Sequence, residues 1–496
     1  MRSESFLQTT SLLAVFLAAL SLPPAEAGKL KGPADIRVNQ DVSGLDQFET
    51  TIAIDPLDPN NLVAAWFARE VRPGGTDYHL EYAWTKDGGT SWTSNRLETG
   101  FTDHFDPVLT ADGRGHFFLT VLAFDAEDHF PLFKSTDGGE SFQFVSEIPF
   151  FWIADKPWLT ADPATGTLYV VWADYLTSGR VNFDIAFSRS LDGGKTFARP
   201  RGISNPSRSV GNHAMIAVGP DGEVYAIWDS NGEPRRIYFD RSLNGGTTWL
   251  ESDILVEPDV RTPPDVLHGG IGNPMIPALA VDRSNGAHRG RIYVVWADRR
   301  FGDPDILLRH SDDRGATWTD PIRVNDDPAG NGADQFIPAV TVDERGRVHV
   351  HFLDRRDDPA NLLYAVYQAT STDGGNHFGP NVKVSDGSFE ASAFGFVGDY
   401  NQAATGGGRI HPVWSDGRAG DMDIFTRSVN LEDFDEDGVP NDGDGSGGYA
   451  DHPCAGGERI ACDDNCPGIA NPRQEDRDGD GVGDACGGSR SPSAMR

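Results

Sequence analysis

The chain has 496 residues, 24% of them charged and 38% hydrophobic, and its formal net charge is −33. That length allows one large β-rich domain with a buried core, plus an appendage. So acidic a surface repels nucleic acid and anionic membranes, which excludes both as expected partners, and it suits a protein that collects calcium or works in the open medium.

Taken in order, the first residues read as an export signal. Arg2 precedes the apolar run Leu12–Leu20, and Ala25-Glu-Ala27 supplies small residues for cleavage. A signal peptide over residues 1–27 predicts a secreted protein, in the medium, at the cell surface or in the periplasm. The run is too short to span a bilayer comfortably, and no other segment reaches that length, so no transmembrane segment is expected. Next, Asp35-Ile-Arg-Val-Asn39 has the look of an isolated strand. From residue 51 a unit then repeats with a period of roughly 50 to 60 residues. Each copy opens with a short apolar strand, such as Thr51–Ile54, Met215–Val218 or Pro338–Val342. A second strand ends on an aromatic (Trp66, Trp172, Trp228, Trp296, Phe352, Trp414), and a third leads into a recurring octapeptide.

That octapeptide reads Thr85-Lys-Asp-Gly-Gly-Thr-Ser-Trp92, Ser135-Thr-Asp-Gly-Gly-Glu-Ser-Phe142 and Ser190-Leu-Asp-Gly-Gly-Lys-Thr-Phe197 in its first copies. Three more begin at Ser242, Ser311 and Ser371. Glycines behind Asp or Asn, flanked by β-forming runs, mark a hairpin turn whose carboxylate accepts the turn's own N–H groups. The pattern resembles the Asp-box, or bacterial neuraminidase repeat, of sialidase-like β-propellers. The resemblance implies an all-β propeller whose boxes are structural.

Seven openings stand against six boxes. The last unit stops after its third strand at Asp423–Arg427, while Asp35–Asn39 closely resembles Pro321-Ile-Arg-Val-Asn325, a strand that follows a box. The N-terminal strand is therefore expected to complete the final blade, giving seven blades over residues 28–430, with six as the alternative.

After Asn430 the composition turns to Asp, Gly, Pro and Cys, and residues 431–486 hold sixteen Asp and Glu against three Arg. Asp433, Asp435 and Asp437 fall at positions 1, 3 and 5 of an EF-hand-like spacing, with Gly438 at 6, Asn441 at 9 and Asp444 at 12. Asp476, Asp478, Asp480 and Asp484 repeat the arrangement. With Asp464-Asn-Cys466, this stretch resembles a thrombospondin type 3 repeat, which implies Ca2+ as its cofactor. Of the three possible cysteine pairings, the local loops Cys454–Cys462 and Cys466–Cys486 are favoured. Residues 487–496 are expected to be disordered.

A four-stranded antiparallel blade puts the boxes on one face and the entrances to the first strands on the other. Polar residues gather at those entrances: Glu49, His104, Asp106, Asp155, Lys156, His213, Asp399 and Tyr400. Beyond the second strands lie Asp174, Asp229, Asp298-Arg299-Arg300, Asp354-Arg355-Arg356 and Asp416-Gly-Arg418. Such a rim suits a polar, anionic sugar, with Lys156, His213, Arg299, Arg355 and Arg418 as binding groups. Glycoside cleavage needs paired carboxyl groups, sialidases using a Tyr nucleophile. Tyr400 beside Asp399 then takes the nucleophile's place, and Asp106 or Asp155 the acid's. The Phe/Tyr-Arg-Ile-Pro motif of sialidases is absent, its place taken by Asp35–Asn39, which leaves catalysis open. The expected function is recognition and cleavage of extracellular glycans or glycoproteins; the alternative is a non-catalytic adhesion or scaffold protein.

Overall fold

The computed structural model describes residues 34–41, 44–125, 127–150, 153–175, 185–205, 211–230, 232, 234–272, 275–393, 395–446, 448–449 and 451–487. The expected signal segment and residues 488–496 lie outside the described residues.

Seven antiparallel sheets follow one another along the chain and form a seven-bladed β-propeller. Blade 1 comprises Asp46–Asp55, Asp58–Arg72, Gly75–Thr85 and Thr93–Arg96. Blade 2 has Asp103–Ala111, Phe117–Phe124, Pro131–Ser135 and Gln143–Glu147. Blade 3 has Ile153–Ala161, Leu168–Tyr175, Ile185–Ser190 and Arg201–Gly202. Blade 4 has Gly211–Val218, Val224–Ser230, Arg235–Ser242 and Ile254–Val260. Blade 5 has Ala278–Val281, Ile292–Asp298, Asp305–Ser311 and Ile322–Arg323. Blade 6 has Gln335–Val342, Val348–Asp354, Ala365–Ser371 and Val382–Lys383. Blade 7 has Gln402–Gly406, Arg409–Asp416 and Asp423–Thr426.

The fourth strand of blade 7 is Ile36–Arg37, paired antiparallel with Asp423–Thr426, as expected from its likeness to Pro321–Asn325. The likeness has a physical cause. Asn39 Nδ2 donates to Asp423 Oδ1 at 2.8 Å and its Oδ1 accepts from Ile424 N at 2.9 Å. Asn325 does the same in blade 5, donating to Asp305 Oδ1 and accepting from Ile306 N, both at 2.9 Å. Arg37 pairs with Asp423, and Arg323 with Asp305, each at 2.6 Å. Each Arg-x-Asn thus secures a fourth strand too short to hold itself by backbone bonds. Asp35, with a fully buried side chain, adds contacts to Arg418 at 2.7 Å and Arg427 at 3.4 Å.

The core lies between neighbouring sheets, and both faces of most strands are buried, which is why their hydrophobic alternation is only partial. Trp66, Trp172, Trp296 and Trp414 are among the largest fully buried side chains. The six octapeptide turns knit the blades together. In the Ser190 copy, the hydroxyl donates to Asp192 Oδ1 at 2.8 Å and accepts from Gly194 N at 2.9 Å. Gly194 has φ +87°, and a Cβ there would lie 2.4 Å from Leu132 of the preceding blade. The equivalent Gly139, Gly246 and Gly315 meet Val63, Phe187 and Phe239 in the same way. The second glycine is therefore required twice over, by its left-handed backbone and by close packing on the preceding sheet. Basic side chains reach the turn carbonyls of the following blade: Lys86 to Asp137 and Gly138, Arg241 to Asp313, and Arg291 to Gly374. These contacts give the octapeptides a structural role.

Residues 431–487 pack against blades 6 and 7. Leu431 and Phe434 join the apolar cluster of Val382, Val384 and Val429, and Arg347 donates to Leu431 O at 3.0 Å. The disulfides are Cys454–Cys462 and Cys466–Cys486. Among the described residues no helix is long and apolar enough to cross a membrane.

Candidate functional site

The first strands carry the same irregularity in five blades. Their pairing with the second strand slips at Glu49, Asp106, Lys156, His213 and Ile337, and each of these has a positive φ between 48° and 55°. Such a bulge adds one residue and re-aims a side chain, and a left-handed non-glycine residue costs about 1–3 kcal/mol. The signal was present in the sequence: Asp106, Lys156 and Ile337 each precede a proline, which cannot continue a regular inner strand.

Three of these positions, Glu49, Asp106 and Lys156, assemble a polar cluster with Asp399 at the entrance end of the ring. Lys156 Nζ of blade 3 lies 2.9 Å from Asp106 Oδ1 of blade 2 and 2.5 Å from Asp399 Oδ2, which precedes blade 7. Glu49 Oε1 of blade 1 stands 4.0 Å from the same nitrogen, and Glu49 Oε2 accepts from Asp106 N at 2.9 Å. One oxygen from each of Glu49, Asp106 and Asp399 falls within 4.8 Å of the others. Burial, reinforced by the Asp106 charge, holds the Glu49 carboxyl well above its ordinary range; burial also raises Asp106, against the pull of Lys156. Burial opposes the charged form of Lys156, but Asp106, Glu49 and Asp399 outweigh it and its pKa lies well above the usual lysine value. Carboxyl groups that hold a proton more tightly than usual are suited to general acid chemistry.

Beside the cluster, Asp106, Lys156, Trp158, His213, Ile276 and Tyr400 line a cavity of about 10 Å³, room for roughly one water. His213 Nδ1 is 2.9 Å from Asp229 Oδ1, and Asp229 Oδ2 is 2.7 Å from Arg235 Nε, so the imidazole is held from behind. Tyr400 is buried and donates its hydroxyl to Pro107 O at 2.9 Å, its ring edge-on to Trp158. Burial raises its pKa well above the usual tyrosine value. The structure thus brings Asp106, Lys156, His213, Asp399 and Tyr400 together, and adds Glu49 to them. It engages the Tyr400 hydroxyl inward, away from the nucleophile's place. Asp155 flanks the cluster on the same strand, near enough to raise Asp106.

The arginines go elsewhere. Arg418 grips Asp416 through Nε at 2.8 Å and Nη2 at 2.5 Å, bonds Asp35, and lies between the Phe389 and Phe425 rings. Arg300 and Arg356 hold Asp298 and Asp354 in the same fork. Arg355 is 0% exposed, bonded through Nη1 to His268 O and Asp334, and Arg299 stands exposed outside the cluster. Two of these aspartates are also held by an indole two residues back, Trp296 to Asp298 and Trp414 to Asp416, as Trp172 holds Asp174. The Asp-x-Arg pairs read from the rim are therefore closed clamps.

In the C-terminal segment, Asp433, Asp435 and Asp437 converge as the spacing anticipates. Asp464 joins them. Burial first, then Asp464 and Asp437, pushes Asp435 up to about 8, and burial pushes Asp464 up to about 6. Asp433 Oδ1, Asp435 Oδ2 and Asp464 Oδ2 are buried with no hydrogen-bond partner, although Asp435 and Asp464 are almost wholly enclosed. Orphaned, mutually repelling carboxylate oxygens fit an oxygen-seeking divalent cation. Asn441 instead turns its Oδ1 to Phe434 N, and Asp444 stands with Asp442 and Asp463 in a separate group. Asp476, Asp478 and Asp480 form a third, while Asp484 pairs with Arg477 at 3.1 Å.

No family model matches the chain. No curated protein matches it either. Among solved structures, the α-L-arabinofuranosidase Arb93A of Fusarium graminearum, with an iminosugar inhibitor, is 10% identical over 82% of this chain and 99% of its own, with a TM-score of 0.47. The intramolecular trans-sialidase of Ruminococcus gnavus, with oseltamivir carboxylate, is 13% identical over 82% and 99%, at a TM-score of 0.41. The leech intramolecular trans-sialidase is 12% identical over 81% and 71%, also at 0.41. At these identities and TM-scores the likeness carries nothing about this chain's activity or substrate, and the seven-bladed ring rests on its own strand pairing.

Proposed function

We propose that the protein is an exported propeller that binds and cleaves extracellular glycans at the entrance end of its ring, on an Asp-box scaffold of the sialidase-like kind. The observation that carries this reading is the convergence of Glu49, Asp106 and Asp399, from three different blades, on Lys156. Glu49 or Asp106 serves as general acid toward the glycosidic oxygen, and Asp399, the most open of the three, stabilises the positive charge that develops on the sugar. Lys156 holds both carboxylates in place, and His213, backed by Asp229, positions the sugar hydroxyls. Residues 431–486 act as a thrombospondin type 3-like spacer, with Asp433, Asp435, Asp437 and Asp464 as the ligands that would hold Ca2+, which supplies structural cohesion.

The test is a hydrolysis screen of aryl glycosides and natural oligosaccharides with the mature protein and its Glu49→Gln and Asp106→Asn variants. Turnover that either variant lowers by a factor of about 100 or more supports the assignment. Turnover unaffected by both, or none on any substrate, removes it. A second reading, a non-catalytic adhesion platform, is favoured by the closed Asp-x-Arg clamps and by a cavity large enough only for water; binding on a glycan array without hydrolysis would select it.

A further inference from the structure

The glycan reading leaves open which sugars the entrance accepts. We infer that it takes sugars without an acidic group, bearing hydroxyl or amino functions, and rejects carboxylated ones. This inference rests on the glycan reading and narrows it.

The argument is one of unmet charge. A sugar carboxylate needs a cationic donor with free N–H groups facing it, and bidentate arginine is the usual solution. Here the forks of Arg300, Arg356 and Arg418 are each filled by the aspartate two residues earlier in the chain. Arg355 retains unbonded Nε and Nη2 atoms, but it is wholly buried and anchored to the carbonyl of His268. Among the described residues Lys156 is the cation that reaches the cluster, and two of its three N–H bonds already go to Asp106 and Asp399. His213 has its Nδ1 committed to Asp229. Against these stand three carboxyl groups facing one ammonium, with Asp155 alongside.

What the site leaves partly open fits the opposite ligand. The side chains of Asp399 and Lys156 are 19% and 16% exposed, whereas Glu49 and Asp106 sit behind them. Carboxylate oxygens accept from sugar hydroxyls and pair with a sugar ammonium; a ligand carboxylate in the same place meets like charge. The net charge of −33 acts in the same direction during approach.

The experiment compares size-matched neutral, amino, uronic and sialic glycosides with the full mature protein in calcium, by calorimetric titration and by turnover, at low and at physiological ionic strength. Neutral or amino sugars binding at least tenfold more tightly than acidic ones, with the gap narrowing as salt rises, is the expected result. Asp399→Asn, its folding verified by thermal melting, should bring the acidic sugars toward parity. Tighter binding of uronic or sialic glycosides overturns the inference while leaving the glycan reading intact. Loss of that binding in Arg355→Met would show that the buried guanidinium had been uncovered to grip them. Binding of no sugar of any class would remove the glycan reading, and this inference with it.

Discussion

Replacing Lys156 with Met tests the physical basis of the entrance cluster without altering its volume much. Met cannot offer an ammonium to Asp106 and Asp399, now 2.9 and 2.5 Å away, so three crowded carboxyl groups lose their counter-charge. Removing one partner of a buried ion pair costs about 3–5 kcal/mol. The loss should depend on pH. Glu49 and Asp106 already hold protons more tightly in the folded chain than carboxyl groups normally do. Groups raised in this way favour folding below the ordinary carboxyl range, and that contribution disappears as pH rises through their folded values. Deleting Lys156 removes the attraction that lowers both, so the variant should fall furthest behind wild type at pH 8 and approach it at pH 5. Chemical denaturation of both proteins at the two pH values, followed by tryptophan fluorescence, measures the gap directly. An equal deficit at pH 5 and pH 8, or none at pH 8, would refute the reasoning.

Ring closure gives a second expectation. Asp35→Ala removes the carboxylate that meets Arg418 and Arg427 and accepts Asp386 N at 2.7 Å, and should cost about 3 kcal/mol and open the edge of blade 7 to protease. For the C-terminal segment, chelation should expose residues 431–487 to proteolysis while the ring's own unfolding transition persists. Asp464→Asn should weaken Ca2+ binding measured by titration more than Asp484→Asn, because Asp464 faces Asp435 and Asp484 faces Arg477. Replacing Cys466 and Cys486 with Ser frees a loop of 20 residues and should destabilise the segment by about 3 kcal/mol on the loop-entropy account, more than the same change at Cys454 and Cys462, whose separation is 8. Melting curves of the two double variants would settle the order, and the reverse order would show that entropy is not what governs it.

The fold was legible in the sequence because its determinants are local and repeated. A Ser/Thr two residues before Asp and four before Gly builds its own turn, and Arg-x-Asn fastens a two-residue strand wherever it occurs, at 37–39 as at 323–325. The disulfide loops were equally local. The site was legible only in part. Entrance residues could be gathered by position, but whether an arginine is free or spent depends on the aspartate two places earlier and on the indole behind it, a geometry that exists only once the strands pair. Glu49 looked like one entrance residue among several until the bulge brought it beside Asp106. The Asp464 contribution was hidden because the insertion carrying Cys454 and Cys462 separates it by 27 positions from Asp437.

The closing strand also sets the order of events in biogenesis. Ile36 and Arg37 are made early, yet their partners Phe425 and Thr426 emerge almost 390 residues later. At ordinary elongation rates that is a wait of roughly 20 to 80 s. During it, six sheets can stack, while the seventh has its outer strand and still waits for its inner ones. The entrance cluster shares this delay, because Glu49 comes early and Asp399 late, so its charges meet only after six blades have been made.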